Sequence, residues 1–395
     1  MLEILVGKTE NNKKEIGLIE NGNLVEYYLD EEEFNRNEGN IYVGLIKDVI
    51  KGMDACFVDV GTKKNGFIHL KDLMPKIDET KEKLDLNVKI NEIAKTNQKI
   101  LVQIKKDSNS QKGAKLSTHI NLPSKYIVLM PDSDIITISQ KIEDKKEQDR
   151  LKELVKNNIS KGYGAIVRTS SIGKTDEIIK DLKNMENKWQ KILNEYKNYK
   201  LNSPKLIQRA EGIVEKMIMD LPEDKLERVI VSDKNEYEKL KNYKEENSYF
   251  CKTKIELREN EDIFDIYDVK KQIEKLKNRK IWLKCGGFIT IDKTEALTAI
   301  DVNTGKYTGK KSVEQTMYKV NEEATIEIAK QLRLRDIGGI IIIDYIDMED
   351  KKDKEKIEKL LKERLKNDRN KTQVEGFTKL DLMEMTRKHI CSHNE

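Results

Sequence analysis

Ala299-Ile300-Asp301-Val302-Asn303-Thr304-Gly305 and Gly338-Gly339-Ile340-Ile341-Ile342-Ile343-Asp344-Tyr345-Ile346-Asp347-Met348, separated by a helical stretch, decide how this chain is read. Leu297–Val302 and Ile340–Ile346 are apolar, β-branched and bounded by glycines, the pattern of buried strands. Each run carries an aspartate, Asp301 or Asp344, inside it or at its end. A carboxylate on a buried strand is costly unless a cation compensates it. If the two strands are neighbours in one sheet, the carboxylates meet, and a divalent metal is the natural compensation. Asn303, two residues beyond Asp301, falls on the same side and is placed to hold a carboxylate or a water. Mg²⁺ suits such a pair because it takes few carboxylates, keeps several waters and bridges to phosphate oxygens. It would polarise a scissile phosphate and help to generate hydroxide from water. Paired aspartates at strand ends suit loop capping equally well, and spacing alone does not separate the two readings. Asp347 and Asp292 are further acids nearby, read as surface or structural groups.

The chain has 395 residues, more than one ordinary domain, which predicts two to four. Charged residues make up 37% and mean hydropathy is −0.71. These charges interleave with apolar positions, which predicts a folded, solvated surface rather than disorder. A net charge of +4 is too small to identify a polyanion binder. Ile41 to Thr118, however, holds 15 lysines against 10 acidic residues. That local excess is compatible with phosphate-backbone binding and also with a plain solvated lysine face. Cys56, Cys251, Cys285 and Cys391 are far apart and form no Cys-x-x-Cys pair, so no disulfide framework is expected. The N-terminus lacks a basic region followed by an apolar core, and no apolar run approaches the roughly 18 residues of a membrane span. A reduced, soluble, cytoplasmic protein is expected.

Organisation follows from local pattern. Glu3–Val6, Glu15–Ile19 and, after an Asn21-Gly22 turn, Leu24–Leu29 read as strands. From Ile41 to Thr118 short strands crowd together: Tyr42–Ile46, Ala55–Val60, Gly66–Leu70 and Lys99–Lys105. Such density with glycine punctuation predicts a small barrel. A mixed segment follows, with strands at Lys125–Met130 and Gly164–Arg168 and a long helix through Met185, Trp189, Ile192 and Tyr196. Arg228–Ser232 reads as a strand, and from Lys280 strands alternate with helices.

Two weaker constellations lie upstream. In the barrel, Phe57 and Phe67 sit near glycines and lysines, where exposed rings stack on bases and lysines follow phosphates. Core packing fits their spacing as well, and the same holds for His69. In Ile166-Val167-Arg168-Thr169-Ser170-Ser171-Ile172-Gly173-Lys174 an arginine leaves a strand into a hydroxyl-rich loop, a good cradle for a monophosphate. The loop lacks the spacing of a Walker P-loop.

The barrel run resembles the OB-fold RNA-binding domain named after the largest small-subunit ribosomal protein. Ala299–Gly305, the helix Asn321–Asp336 and Ile337–Met348 closely resemble the signature of the ribonuclease E/G family. Agreement extends to Ile166–Lys174, to Gly376-Phe377-Thr378 and to Met385-Thr386-Arg387-Lys388, in the family's order. The resemblance implies an α/β multidomain protein: an RNase H-like fold over 1–35 resumed at 216–279, an inserted OB-fold barrel at 36–118, a 5′-sensor region at 119–215, and a DNase I-like α/β catalytic domain at 280–395. It implies an Mg²⁺-dependent endoribonuclease cutting single-stranded, AU-rich RNA in rRNA processing and mRNA decay, nearer the ribonuclease G branch. Asp301 and Asp344 fall on the metal ligands and Asn303 on their supporting partner. Arg168 and Thr169, with the main chain near Val128, fall where a 5′-monophosphate is recognised. Phe57, Phe67 and Lys112 fall on RNA-binding positions. The family pattern continues to a Cys-Pro-x-Cys zinc link shared between protomers. This sequence offers only Cys391 with His389 and His393, which leaves a structural zinc and a zinc-linked homodimer in doubt. Two rival expectations are a catalytically idle RNA-binding relative and a nuclease cutting duplex DNA.

Overall fold

A computed structural model describes residues 1–30, 37–73, 89–108, 111–305, 313–366 and 368–389. The chain divides into two compact units, Glu32–Asp220 and Met1–Glu31 together with Leu221–Glu395.

In the unit Glu32–Asp220, five strands close on themselves: Ile41–Ile50, Ala55–Asp59, Gly66–His69, Lys115–Ser117 and Lys99–Lys106, the last returning to pair with the first. A sixth strand, Lys205–Gln208, adds to Ile41–Ile50. Closure removes free sheet edges, and alternate residues such as Cys56, Val58, Ile68 and Val102 fill the interior. This barrel agrees with the predicted OB-like domain. A second sheet orders Ile136–Ile138, Tyr163–Val167, Ile127–Pro131 and Leu122–Pro123, with helices Lys145–Asn158 and Asp176–Asn198. Helix Asp176–Asn198 buries Ile178, Leu182, Met185, Trp189 and Ile192, a stripe at helical spacing.

In the other unit, strand Leu2–Lys8 pairs in parallel with Leu226–Val231, so the start of the chain lies in a sheet completed from far downstream. Its order is Lys254–Leu257, Leu226–Val231, Leu2–Lys8, Lys14–Glu20, Asn23–Asp30. The same unit holds a six-stranded sheet ordered Lys280–Trp282, Phe288–Lys293, Leu297–Asn303, Gly339–Asp344, Leu382–Arg387, Thr372–Phe377. Leu297–Asn303 and Gly339–Asp344 are parallel neighbours, joined by helix Val313–Leu334 as a strand–helix–strand crossover. This helix and Lys351–Leu365 cover one face, burying Ile300, Val302, Ile341, Ile343, Met383 and Met385 against Val320, Ala324, Ile328, Ile357 and Leu361.

The expectation of two fully buried strands is corrected here. The opposite sheet face is open, with Ile340 51% exposed and both Asp301 and Asp344 exposed. Burial along Leu297–Asn303 alternates, so Asp301 never enters the core that holds its neighbours Ile300 and Val302. The second strand also ends at Asp344 rather than Ile346.

Buried ion pairs tie the two sheets of this unit together. Glu26, 2% exposed, receives Arg369 and, at 3.0 Å, Arg333 from the long helix. Arg387, the arginine of the Met-Thr-Arg-Lys segment, bonds Asp368 at 2.7 Å and Asp336 at 2.9 Å, all three buried. Its place is therefore structural.

Candidate active site

Asp301 and Asp344 are partners in the parallel register. Directly paired residues send side chains to the same face, so both carboxylates stand side by side on the open one. Thr290 and Lys280 extend the row on one side and Leu382 on the other. The Asn303 side-chain amide donates to an Asp301 carboxylate oxygen at 2.6 Å. Partial burial raises the Asp344 carboxyl above its ordinary range, and the charges of Asp301 and Asp347 push the same way. A cation between Asp301 and Asp344 would relieve that repulsion.

The surrounding backbone is held by groups that no strand pattern announces. Asn321, fully buried on the long helix, donates to the Ile346 carbonyl at 2.7 Å and accepts from the Ile346 N–H at 3.1 Å. The Thr325 hydroxyl, one turn on, is hydrogen-bonded to the Tyr345 hydroxyl at 2.9 Å. These bonds fix the chain immediately after Asp344. On the other strand, Gly305 has φ +62°, and a Cβ there would lie 2.5 Å from the Gly286 carbonyl oxygen. Only glycine fits that close approach, which sets the turn beyond Asn303. Arg279 pairs with Asp292 at 2.6 Å, so Asp292 serves an ion pair at the sheet edge rather than the carboxylate row.

Among the described residues no group of three or more His, Cys, Asp or Glu side chains is arranged to hold a metal. A cation resting on Asp301 and Asp344 would therefore complete its shell from water and substrate, a donor set that fits Mg²⁺. Cys391 and His393 lie outside the described residues; His389 Nδ1 is 3.3 Å from the Asp336 carbonyl oxygen.

The remaining candidates lie in the unit Glu32–Asp220. Strand Tyr163–Val167 pairs with Ile127–Pro131, bringing Ile166 opposite Val128. Arg168 follows this strand, and its N–H donates to the Tyr126 carbonyl at 2.8 Å. Its guanidinium donates to the Ser124 carbonyl at 2.6 Å and forms an ion pair with Asp220. Thr169 is exposed and opens a short 3₁₀ turn, its hydroxyl 3.3 Å from that of Ser139. Buried Asp181 accepts from the Ser124 hydroxyl at 2.5 Å and the Tyr126 N–H at 3.1 Å, fixing the segment that holds Arg168. Burial raises its carboxyl, against the lowering effect of those bonds. Asp181 was missed because it interrupts an otherwise apolar helical stripe, and Asp220 because it lies 52 residues from its partner.

Phe57 and Phe67 are register partners with ring centroids 5.9 Å apart at 66°. Both are half-buried on the barrel face opposite Cys56, Val58 and Ile68, outside the core that spacing had left open to them. Lys112 is exposed. His69 accepts from the Lys71 N–H at 3.2 Å, a local turn contact.

The profile of the Ribonuclease E/G family matches residues 121–390. Ribonuclease G of Salmonella typhimurium (strain SL1344) is 36% identical over 391 residues, 98% of this chain and 79% of the relative. Ribonuclease G of Haemophilus influenzae is 36% identical over 392 residues, covering the same shares. Ribonuclease E of Nostoc sp. (strain PCC 7120) is 34% identical over 357 residues, 89% of this chain and 51% of the relative. Identity at this level along nearly the whole chain places it in a family: it belongs to the ribonuclease E/G family.

Proposed function

We propose that this chain is a metal-dependent endoribonuclease acting on single-stranded RNA. The observation that carries the reading is the registered Asp301–Asp344 pair on an open sheet face, with Asn303 bonded to Asp301. Asp301 and Asp344 would hold Mg²⁺, which when bound supplies Lewis-acid stabilisation of charge on the phosphate. Asn303 orients the Asp301 carboxylate, and Asn321 keeps the backbone beyond Asp344 in place. Water adds at phosphorus, the bond from phosphorus to the 3′ oxygen breaks, and the downstream fragment keeps a 5′-phosphate.

RNA contact by Phe57, Phe67 and Lys112 is supported by the paired, half-exposed rings on a barrel. Preference for a 5′-monophosphate is assigned to Arg168, Thr169 and the main chain near Val128. The guanidinium carries five N–H donors, so Ser124 and Asp220 do not exhaust it. A role in rRNA processing and mRNA decay in the cytoplasm, with AU-rich targets, completes the reading. Among the described residues no helix is long and apolar enough to cross a membrane.

The test is incubation of the purified chain with labelled single-stranded RNA, with Mg²⁺ and with EDTA. Cleavage with Mg²⁺ that EDTA stops is expected. Binding without any cleavage would favour an idle RNA-binding relative, and cutting of duplex DNA would favour the third reading. Solution mass with and without a chelator tests self-association and any zinc link.

A further inference from the structure

Trp282 is 61% exposed on the open face of the sheet that carries Asp301 and Asp344. Register places it with care. Trp282 pairs with Phe288, and Phe288 pairs with Asn303. All three therefore stand in one row on the same face, next to the row Lys280, Thr290, Asp301, Asp344. At the usual strand spacing, Phe288 is about 5 Å and Trp282 about 10 Å across the sheet from Asn303. The two rings meet edge to face with centroids 5.4 Å apart. The Lys280 ammonium lies 3.5 Å from the Phe288 centroid and 4.2 Å from that of Trp282. Neither ring belongs to the core on the far side.

We propose that Trp282 and Phe288, bridged by Lys280, form a base-stacking platform for a nucleotide flanking the scissile phosphate. This rests on the endoribonuclease reading of the Asp301–Asp344 pair. A platform of this kind needs an exposed π face, a neighbouring cation for the phosphate, and a fixed distance to the reacting group. The three residues supply all of these on rigid strands. Arg279 at the same edge is paired with Asp292, which leaves Lys280 as the cation facing the rings. Stacking is tolerant of base identity, so the platform positions the strand across the carboxylates rather than reading its sequence.

The chain has two tryptophans, and Trp189 is only 2% exposed, so emission responding to ligand reports Trp282. A short oligouridylate added in EDTA, which blocks turnover, should quench that emission, and the quench should vanish in Trp282→Leu. With Mg²⁺, Trp282→Leu should raise KM for single-stranded RNA roughly tenfold with kcat little changed, and Trp282→Phe should restore most of the loss. An abasic residue beside the cleaved bond should weaken the wild-type enzyme and leave Trp282→Leu almost unaffected. Matching circular dichroism and Tm will show that the variants fold. Wild-type quenching and KM in Trp282→Leu would overturn the platform. So would a change in solution mass in that variant, which would mark the face as a contact between copies of the chain. If the wild-type chain fails to cleave any RNA, the endoribonuclease reading falls, while the quench in EDTA still decides whether Trp282 stacks on bases.

Discussion

Asp301 and Asp344 are partners across adjacent parallel strands, both exposed on the uncovered face of a sheet whose other face is packed by two helices. Two carboxylates set this way repel each other, and that repulsion adds to loss of solvation in raising the proton affinity of Asp344. A divalent cation held by both carboxylates would offset that repulsion.

Asp301→Asn or Asp344→Asn should reduce cleavage of single-stranded RNA to background while RNA binding survives. Gel-shift and cleavage assays on the same preparations check this, and wild-type rates in both variants would remove the pair from the mechanism.

Asn303→Ala takes away the amide that orients Asp301 and leaves both carboxylates present. Loss of an orienting partner typically costs roughly 10- to 100-fold in metal affinity or activity. The expected signature is a higher Mg²⁺ requirement with partial rescue at high Mg²⁺, read from a metal titration of the cleavage rate.

Asn321→Leu leaves the Ile346 N–H and carbonyl without their side-chain partner. Buried polar groups stripped of a partner cost about 1–3 kcal/mol each. Chemical denaturation should show a loss of that order. Steady-state kinetics should show a fall in kcat larger than any rise in KM for RNA, because the segment beyond Asp344 is released.

Arg168→Ala should erase any preference for 5′-monophosphorylated over 5′-hydroxyl RNA while internal cleavage of the hydroxyl substrate persists. Competition between the two substrates measures it. A preference that survives in the variant would dissociate Arg168 from the 5′ end.

Glu26 gives a pH dependence whose sign can be worked out. Burial raises its pKa, but Arg369 and Arg333 outweigh burial and bring it to about 2, below the ordinary 4.5. A carboxylate depressed in the folded state stabilises fully above the unfolded pKa, and that contribution is lost as pH falls from about 4.5 toward 2. Glu26→Gln should cost about 3–5 kcal/mol at neutral pH by leaving two arginines without their carboxylate. Denaturation curves of the variant should also lose part of the wild-type decline below pH 4.5.

Strand alternation is a local property, which is why Asp301 and Asn303 could be put on one side of a strand from sequence alone. Strand–helix–strand order was legible too, though it left open whether the two strands are neighbours, and the strands of the barrel were visible in their density. The hairpin Thr372–Phe377 and Leu382–Arg387 was not recognised as strands, because its buried positions are Gly376, Met383, Met385 and Arg387, none of them β-branched or aromatic. Which sheet face is open depends on where Val313–Leu334 and Lys351–Leu365 pack, so only the tertiary structure moved Asp301 and Asp344 from a supposed core to an exposed row. Contacts distant along the chain belong to the same class: Arg168 with Asp220, Glu26 with Arg369, and Asn321 with Ile346. Sequence by itself determined which groups the chain has and on which side of each strand they stand, since periodicity is written residue by residue. Tertiary structure decided which of them meet, which are already held, and which face solvent, since those outcomes depend on packing between segments that no local pattern links.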